Sequence, residues 1–527
     1  MLPYLRIASV LEEASSEGRS RKVKLAADLL KEASAEDLPK AVRLLTGALW
    51  PPWEGLDMRR GPEVVIKALR EISSGDLSEN TLRRTDVGAA AEIALLRRSQ
   101  RPISSEPLDI LTVYEGLRRF ARQSGEGSEH RKEAILKGLF LEATPLEARY
   151  IARTAVGCLS MGIGQMTALS ALSLALKLKE EIVLKAYSLV PDLGSTAWAL
   201  IAREVISFQP PRPIRPMILT QREERPEGLY LVRYRGLRVQ AHLVRSRLCV
   251  YSQRMRNLTP AMSFLSKSLD KLGHDLVLEG ELLCIQDGKL LDQAEVVRYI
   301  NRRHLSRRSS VLPALAAQDI LYLDGRSLIG MPYRDRLLLL ISVLGEAKDA
   351  PAPGAFTAPH RYLTEGDKIE DYYRRSQISG IGGLIYRDPE APYSPGSVSR
   401  ADFHLSTPGE ILRAVALRAE YGSEGVVIRI LLGICRDGSY ADLGWAQSDL
   451  KGPDARSLTK DLEKLEISRS DSGMEVSPGI VLIVLVKGVQ KHGDGYKLRQ
   501  PRIKGVLGSS LEKADGPERL EEICRRS

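Results

Sequence analysis

Cysteine and aromatic residues are scarce in this sequence. Only five of its 527 residues are cysteine, and 5% are aromatic. The cysteines form no CxxC pair and are odd in number, which disfavours a disulfide framework and a zinc knuckle. This usage fits a reducing compartment, so we expect a cytoplasmic protein.

Long apolar runs and targeting segments are also missing. The longest apolar runs, at 337–341 and 480–486, are far too short to cross a bilayer. The first residues have neither the basic segment nor the apolar stretch of a signal peptide. We therefore expect no membrane partner.

What is present is an ordinary globular composition with a moderate basic excess. Hydrophobic residues make up 43% of the chain and charged residues 27%, which excludes a mainly disordered, collagen-like or coiled-coil protein. Lys and Arg number 77 against 67 Asp and Glu, for a net charge of +10. That charge permits a polyanionic partner, and the length predicts two to four domains.

Three patterns follow one another along the chain. Up to about residue 205, apolar residues recur at spacings of three and four, which is typical of helices. Residues 210–216 contain four prolines and end this pattern. Apolar stretches separated by Gly turns then predict strands at 229–242, 247–251, 276–286 and 316–323. After about residue 408, strands at 414–419, 425–435 and 480–489 and a helix near 454–465 are compatible with a small β-barrel.

The stretch 231–240, LVRYRGLRVQ, is the most informative part of the sequence. It resembles the motif E-x-K-Y-D-G-x-R-V-Q of archaeal-type ATP-dependent DNA ligases. Other segments resemble further motifs of that family, in the right order and spacing: 252–259, 278–281, 319–325, 387–389, 392–396 and 496–502. In the N-terminal part, 47–54, 125–128, 146–150 and 161–164 resemble its helical DNA-binding domain, although Ser160 stands where the family has an arginine.

The resemblance covers nearly the whole chain and implies a multidomain fold. We expect an all-α DNA-binding domain at 1–208, an α/β nucleotidyltransferase-like (ATP-grasp-like) adenylation domain at 209–407 and a C-terminal β-barrel of the OB-fold type at 408–527. The resemblance also implies ATP and Mg²⁺ as cofactors and double-stranded or nicked DNA as the partner.

Arg233 stands at the position of the family's lysine nucleophile. In the family, the lysine amine attacks the α-phosphate of ATP, AMP passes to the 5′-phosphate of a nick, and the 3′-hydroxyl displaces AMP. A guanidinium stays protonated and cannot make the first attack. No other lysine lies between Lys185 and Lys267, and Lys267 and Lys271 fall on a predicted helix as solvated charges. We therefore predict a defect in self-adenylylation and weak or no binding of ATP and Mg²⁺.

Further departures all fall on nucleotide chemistry. The adenine-recognising Glu is replaced by Leu231, the Asp after the nucleophile by Arg235, and a metal-binding carboxylate by Gly382. The two phosphate-binding lysines correspond to His404 and Ser406, and Gln318 stands where an adenine-stacking aromatic residue is expected.

Several family positions survive, and each allows a functional and a structural interpretation. Arg238, Arg254 and Arg387 either contact nucleotide phosphates or have structural roles. Glu281 could hold one Mg²⁺, for which a lone carboxylate is a weak site, or it could form a buried ion pair with Arg233.

Basic side chains supply the candidate DNA contacts, although charge runs are usually solvated helix faces. These candidates are Arg59, Arg60, Lys67, Arg131, Lys132, Arg499 and Arg502. The segment from Gln100 to Leu108 aligns with a sliding-clamp motif, but Ile103 and Ser104 replace its two aromatic anchors. Aromatic anchors carry most of the energy of such contacts, so clamp binding is expected to be weak or absent.

Three functions fit these observations. The first is a DNA ligase family protein that binds duplex or nicked DNA and is defective in self-adenylylation. The second is an active ATP-dependent DNA ligase that seals nicks in replication, repair and recombination. The third is a protein-interaction scaffold that does not bind DNA. A salt-dependent binding measurement on nicked duplex separates the first from the third.

Overall fold

The structure is a computed structural model, and part of the chain lies outside its description. It describes the chain except for residues 57, 59–60, 74–85, 99–106, 158, 160–162, 223, 302–309, 348–350, 365–371, 373–380, 406–408, 423–424, 437, 471–472, 493–494 and 527. The chain divides into two compact units, of which the first holds the described residues up to His404 and the second those from Leu405 onward. In the described residues, no helix is long and apolar enough to cross a membrane.

The N-terminal part of the first unit is helical, as its apolar spacing predicts. Its helices are Tyr4–Ala14, Arg19–Glu32, Leu38–Thr46, Gly61–Arg70, Val87–Leu96, Ile110–Arg122, Ser128–Glu142, Pro145–Ala155, Gln165–Leu176, Glu180–Leu189 and Leu193–Ile201, with a 3₁₀ turn at Pro52–Glu54. Side-chain caps mark some of the helix starts: Asp109 accepts a hydrogen bond from the Thr112 amide, and Thr144 forms a capping box with Glu147. The apolar faces of these helices share one core.

The rest of the first unit is an α/β structure. Its strands are β1 (Ile218–Arg222), β2 (Gly228–Tyr234), β3 (Leu237–Val244), β4 (Arg247–Ser252), β5 (Leu276–Gln286), β6 (Lys289–Leu290), β7 (Val311–Leu323), β8 (Arg326–Ser327), β9 (Gly354–Thr357), β10 (His360–Leu363), β11 (Ile381–Arg387) and β12 (Val398–Leu405). Its helices are Ser263–Asp270, Gln293–Asn301 and Tyr333–Leu344, with a 3₁₀ turn at Thr259–Ala261.

These strands form two sheets. One has the order β1-β12-β11-β2-β10, and the other has the path β4-β3-β5-β7-β8, with β6 on β5 and β9 parallel to β7. Leu231 and Ile385 of the first sheet share a core with residues of the second. The face of the first sheet that carries these two residues is therefore the face that packs toward the second sheet.

The predicted continuous strand at 229–242 is in fact two strands in different sheets. The break falls at Arg235 and Gly236, between β2 and β3. A Cβ atom on Gly236 would lie 2.6 Å from the Leu282 carbonyl oxygen, so only glycine allows this approach. Gly236 thus has a structural role at the crossing between the sheets.

The second unit is rich in β-structure, as its sequence predicts. Its strands are β13 (Glu410–Tyr421), β14 (Val427–Arg436), β15 (Ser439–Ser448), β16 (Glu466–Ser470), β17 (Gly473–Val476), β18 (Val481–Val486), β19 (Val489–His492), β20 (Gly495–Leu498) and β21 (Arg502–Gly508). Helices Gly452–Glu463 and Pro517–Arg526 and a 3₁₀ turn at Leu511–Lys513 complete it.

The strands of the second unit form a closed ring. β13, β14, β15, β21 and β18 follow one another, and β18 pairs with β13 again. All pairings in the ring are antiparallel except β15 with β21. β17 and β16 extend the sheet from β13. β19 and β20 form a separate hairpin, which lies between β18 and β21 along the chain. The ring encloses a core of its own.

Candidate nucleotide-binding site and DNA-contact residues

Arg233 projects from β2 on the side that faces the second sheet. Side chains alternate along a strand, so Arg233 shares its face with Leu231. Leu231 is buried in the apolar core between the sheets, and it pairs with Ile385 of β11 and His360 of β10. The Arg233 side chain itself is 43% exposed. The strand therefore places the guanidinium at the partly exposed margin of this face and an aliphatic side chain in the core between the sheets.

Arg233 forms an ion pair with Glu281 of β5. The distance between Arg233 Nε and Glu281 Oε1 is 3.8 Å. The other oxygen, Oε2, accepts hydrogen bonds from the Tyr234 amide at 2.6 Å and from Gln318 Nε2 at 3.3 Å. Burial raises the pKa of Glu281 to about 7, against the opposing effects of Arg233 and the Tyr234 amide. Of the two interpretations of Glu281, the geometry favours the ion pair.

The residues around Glu281 do not fit a Mg²⁺ site. Both of its oxygens have protein partners, and Gly382 offers no second carboxylate. Across the described part of the chain, no group of three or more potential ligands is arranged to hold a metal ion. Mg²⁺ requires several oxygen ligands in near-octahedral geometry, which this environment does not offer.

Arg238 is held by a second buried carboxylate. Its Nη2 donates to Glu279 Oε1 at 2.6 Å, and Glu279 Oε2 accepts from the Tyr393 hydroxyl at 2.5 Å. The Tyr393 hydroxyl also accepts from the Met217 amide at 2.9 Å. Arg238 is therefore part of a network that ties β3 and β5 to the loop before β12. Tyr393 lies in a predicted motif, but its partner is 114 residues away, so no local signal in the sequence points to this role.

Arg387 lies in a buried charge network rather than at an open surface. It donates to Asp319 Oδ2, and its Nε is 3.8 Å from Asp402 Oδ2. Arg336 binds the same Asp319 through Nε at 2.8 Å and Nη2 at 3.0 Å. The Arg387 guanidinium stacks 4.1 Å from the centre of the Tyr333 ring. These contacts give Arg387 a structural role.

His404 of β12 pairs with Ile385 of β11, which in turn pairs with Leu231 of β2. His404 therefore lies on the same face of the first sheet as Leu231 and Ile385. Its Nδ1 atom is buried and has no hydrogen-bond partner among the described residues. Burial, together with the charges of Arg233 and Arg238, lowers the pKa of His404 to about 3. The imidazole is therefore neutral near neutral pH and supplies no positive charge for a phosphate. Ser406 lies outside the described residues.

Three further cations considered in the sequence analysis are at the surface. Arg254 is exposed in the turn after β4. Lys267 is exposed on the helix Ser263–Asp270, and Lys271 is exposed directly after it, as predicted. Within the described structure, none of the hydrogen bonds or ion pairs of Glu281 involves a lysine.

The structure requires one correction among the DNA-contact candidates. Lys132 is buried, and its amine lies 5.1 Å from the centre of the Phe120 ring. Its aliphatic stem completes the helix packing, so the amine is not at the surface.

The other candidates are exposed or lie outside the description. Lys67 is exposed, 3.7 Å from Glu129. Arg131 is exposed, and it donates to Gln123 Oε1 and to the carbonyls of Ser124 and Glu126, which holds the loop before its helix. Arg59, Arg60 and the clamp-like residues 100–106 lie outside the described residues.

Both candidates in the second unit, Arg499 and Arg502, are exposed, and Arg502 also has hydrogen-bond partners. Arg502 Nη1 donates to Gln447 Oε1 at 2.7 Å and to Asp449 Oδ1 at 3.3 Å.

Comparison with known proteins agrees with the motifs. Residues 3–173 match the family "DNA ligase N terminus", and residues 218–404 match "ATP dependent DNA ligase domain". The chain belongs to the ATP-dependent DNA ligase family. A DNA ligase of Thermococcus fumicolans is 29% identical over 537 positions, which cover 96% of this chain and 95% of the relative. A DNA ligase of Methanoculleus marisnigri is 28% identical and covers 100% and 98%.

Solved structures include a mycobacterial DNA ligase D complexed with ATP and MES. It is 20% identical to this chain, with a TM-score of 0.31 over 57% of this chain and 97% of that structure. The family membership confirms the resemblance drawn from the sequence motifs.

Proposed function

We propose that this protein binds duplex or nicked DNA and does not carry out the first chemical step of DNA ligation. The observation that carries this proposal is Arg233, which occupies the nucleophile position on the face of β2 that packs toward the second sheet and pairs with Glu281. An attacking amine needs a free electron pair on nitrogen, which a lysine exposes when it loses its proton. Arginine delocalises that pair over the guanidinium and stays charged, so no covalent bond to AMP forms.

Weak binding of ATP and Mg²⁺ is part of the same proposal. Leu231 presents only aliphatic surface where the family recognises adenine, and Gln318 uses its side-chain amide on Glu281. His404 is neutral and Arg387 is enclosed by carboxylates. We expect no Mg²⁺-dependent rise in melting temperature with millimolar ATP, because a ligand stabilises a protein only by binding its native state. A clear rise would contradict this part of the proposal.

The DNA-binding part rests on the retained framework of the family. We assign a helical DNA-binding domain to 1–208, a nucleotidyltransferase-like domain to 209–407 and an OB-fold domain to 408–527. The closed ring of β13, β14, β15, β21 and β18 supports the OB assignment, because five strands close with one parallel pair and a helix follows the third. The exposed cations Lys67, Arg131 and Arg499 are the candidate phosphate contacts.

The decisive experiment is incubation with α-labelled ATP and Mg²⁺ followed by a denaturing gel. The DNA ligase of Thermococcus fumicolans serves as the positive control. We expect a labelled band for the relative and none for this protein. A band of near-stoichiometric intensity would overturn the proposal and favour the alternative, an active ATP-dependent DNA ligase that seals nicks in replication, repair and recombination. The names of the relatives favour that alternative.

Two smaller points complete the proposal. A cytoplasmic location fits the five cysteines of the sequence, which are odd in number and form no CxxC motif. Sliding-clamp binding through the segment from Gln100 to Leu108 is not part of the proposed function, since Ile103 and Ser104 offer no aromatic anchors.

The third function, a protein-interaction scaffold, would be favoured if the protein failed to bind duplex DNA at low salt.

A further inference from the structure

The outer face of the β-ring carries a partly exposed tryptophan among arginines. Ile430 and Ala446, which pair across β14 and β15, point into the core. Because side chains alternate along each strand, the neighbouring pair Leu431 and Trp445 points outward. Trp445 and Leu431 are both partly exposed. An aromatic ring thus lies on the solvent side of the sheet rather than in the core.

Register places two rows of side chains next to each other on this face. One row runs Arg418, Leu431 and Trp445 across β13, β14 and β15. The adjacent row adds Arg429 and Arg502 through Gln447. The Arg429 guanidinium lies 5.3 Å from the centre of the Trp445 ring.

The cations of the two rows are all exposed and paired with surface acids. Arg418 pairs with Glu475 and Arg429 with Glu420. Exposed ion pairs of this kind contribute little to stability. Each arginine can therefore leave its acidic partner and contact a phosphate group at small cost.

The segment that contains the hairpin β19–β20 and the start of β21 is basic. Between residues 487 and 504 the sequence has six Lys or Arg residues and one acidic residue, and Lys491 and Lys497 lie in the hairpin itself. Gln490 and Lys497 are directly opposite each other in the hairpin, so they share a face. Val489 and Leu498 form the neighbouring pair and belong to the barrel core, which leaves Lys497 on the solvent side. β20 packs against β15, so this charge lies beside the strand that carries Trp445.

We propose that this face of the second unit binds single-stranded DNA, with a base stacked on Trp445 and the phosphates on Arg429, Arg502 and the hairpin. A flat sheet face with an exposed ring suits unpaired bases, because the bases of a duplex are already stacked on one another. The basic segment 487–504 complements the backbone charge. DNA, rather than RNA, is the occupant because the chain belongs to a DNA ligase family. The inference goes beyond the proposed function, which concerns duplex DNA and the chemistry at Arg233.

The test uses the full-length protein and a labelled oligothymidylate in fluorescence anisotropy at low salt. Trp445→Ala should weaken binding by about tenfold or more, the range measured when a stacking residue is removed. Trp445→Phe, which keeps a ring, should stay within about threefold of the unchanged protein. The matched control is Trp198→Ala, because Trp198 is 47% exposed on a helix of the first unit. This control should bind as the unchanged protein does.

Several outcomes would overturn the inference. Absent binding of the oligothymidylate, unchanged binding by Trp445→Ala, or an equal loss in Trp198→Ala would each do so. A loss of duplex binding by Trp445→Ala as large as the loss of single-strand binding would show a general DNA contact instead. Tighter binding of an oligouridylate of the same length would make RNA the occupant. An unchanged melting temperature in Trp445→Phe keeps the comparison valid if the alanine variant folds poorly.

Discussion

At the scale of the residue, Arg233 carries the proposal that self-adenylylation does not occur. Arginine and lysine carry the same charge, but only lysine can present a free amine. The structure pairs Arg233 with Glu281 at 3.8 Å and leaves the guanidinium partly exposed. The structure thus places a charged side chain at this position, and the proposed defect follows from the chemistry of arginine.

Restoring the lysine alone should not restore activity. Arg233→Lys supplies an amine, but Leu231, Gly382 and His404 still lack the groups that bind adenine, metal and phosphate in the family. We expect no labelled AMP on the variant after incubation with α-labelled ATP and Mg²⁺. A labelled band from this single substitution would show that the other positions matter little.

Glu281 should make stability depend on pH. Burial raises its pKa from 4.5 to about 7, so the native state keeps a proton that the unfolded state releases. The stability from this protonation is complete below about pH 4.5 and is lost as the pH rises to about 7. Glu281→Gln cannot titrate and avoids that loss. The melting temperature of the variant should therefore rise by a few degrees relative to the unchanged protein between pH 5 and 8, and a pH-independent difference would contradict the assignment.

At the scale of elements, buried charges connect parts that the sequence keeps far apart. Asp319 of β7 binds Arg336 of the helix Tyr333–Leu344 and Arg387 of β11. Both arginines are almost completely buried, so Asp319 compensates charge that water cannot reach. The network therefore links β7 of one sheet to β11 of the other sheet of the first unit.

Removing the shared carboxylate should therefore be costly. Asp319→Ala leaves two buried guanidinium groups without their common partner, and we expect a loss of about 3–5 kcal/mol in stability. The matched control is Asp461→Ala, which removes an exposed partner of Lys464 and should cost less than about 1 kcal/mol. Thermal unfolding of both variants measures the difference. Equal and small shifts would mean that water reaches the network.

At the scale of the whole molecule, binding to DNA should be general and electrostatic. The chain carries a net charge of +10, and phosphate contacts need no particular base sequence. We expect binding to duplex DNA with steep salt dependence and only modest preference for a nick. Fluorescence anisotropy with nicked and intact duplexes at several salt concentrations measures both properties. Affinity that does not fall as salt rises would contradict an electrostatic mode of binding.

The sequence by itself determined the family, the order of helical, α/β and β-rich parts, and the arginine at position 233. These features depend on residue identity and on local periodicity, which the chain displays directly. The pairing of Arg233 with Glu281 is one of the two interpretations that the sequence leaves open, and the distance of 3.8 Å in the structure favours it.

Only the tertiary structure decided where the remaining side chains lie. It buried Lys132 against Phe120, enclosed Arg387 between Asp319 and Asp402, and split the stretch 229–242 between two sheets. Burial and partner choice are set by residues distant in sequence, so local patterns carry no trace of them. Trp445 is a further example: the pairing of β15 with β14 sets which side of the sheet it occupies, and that side faces away from the core of the second unit.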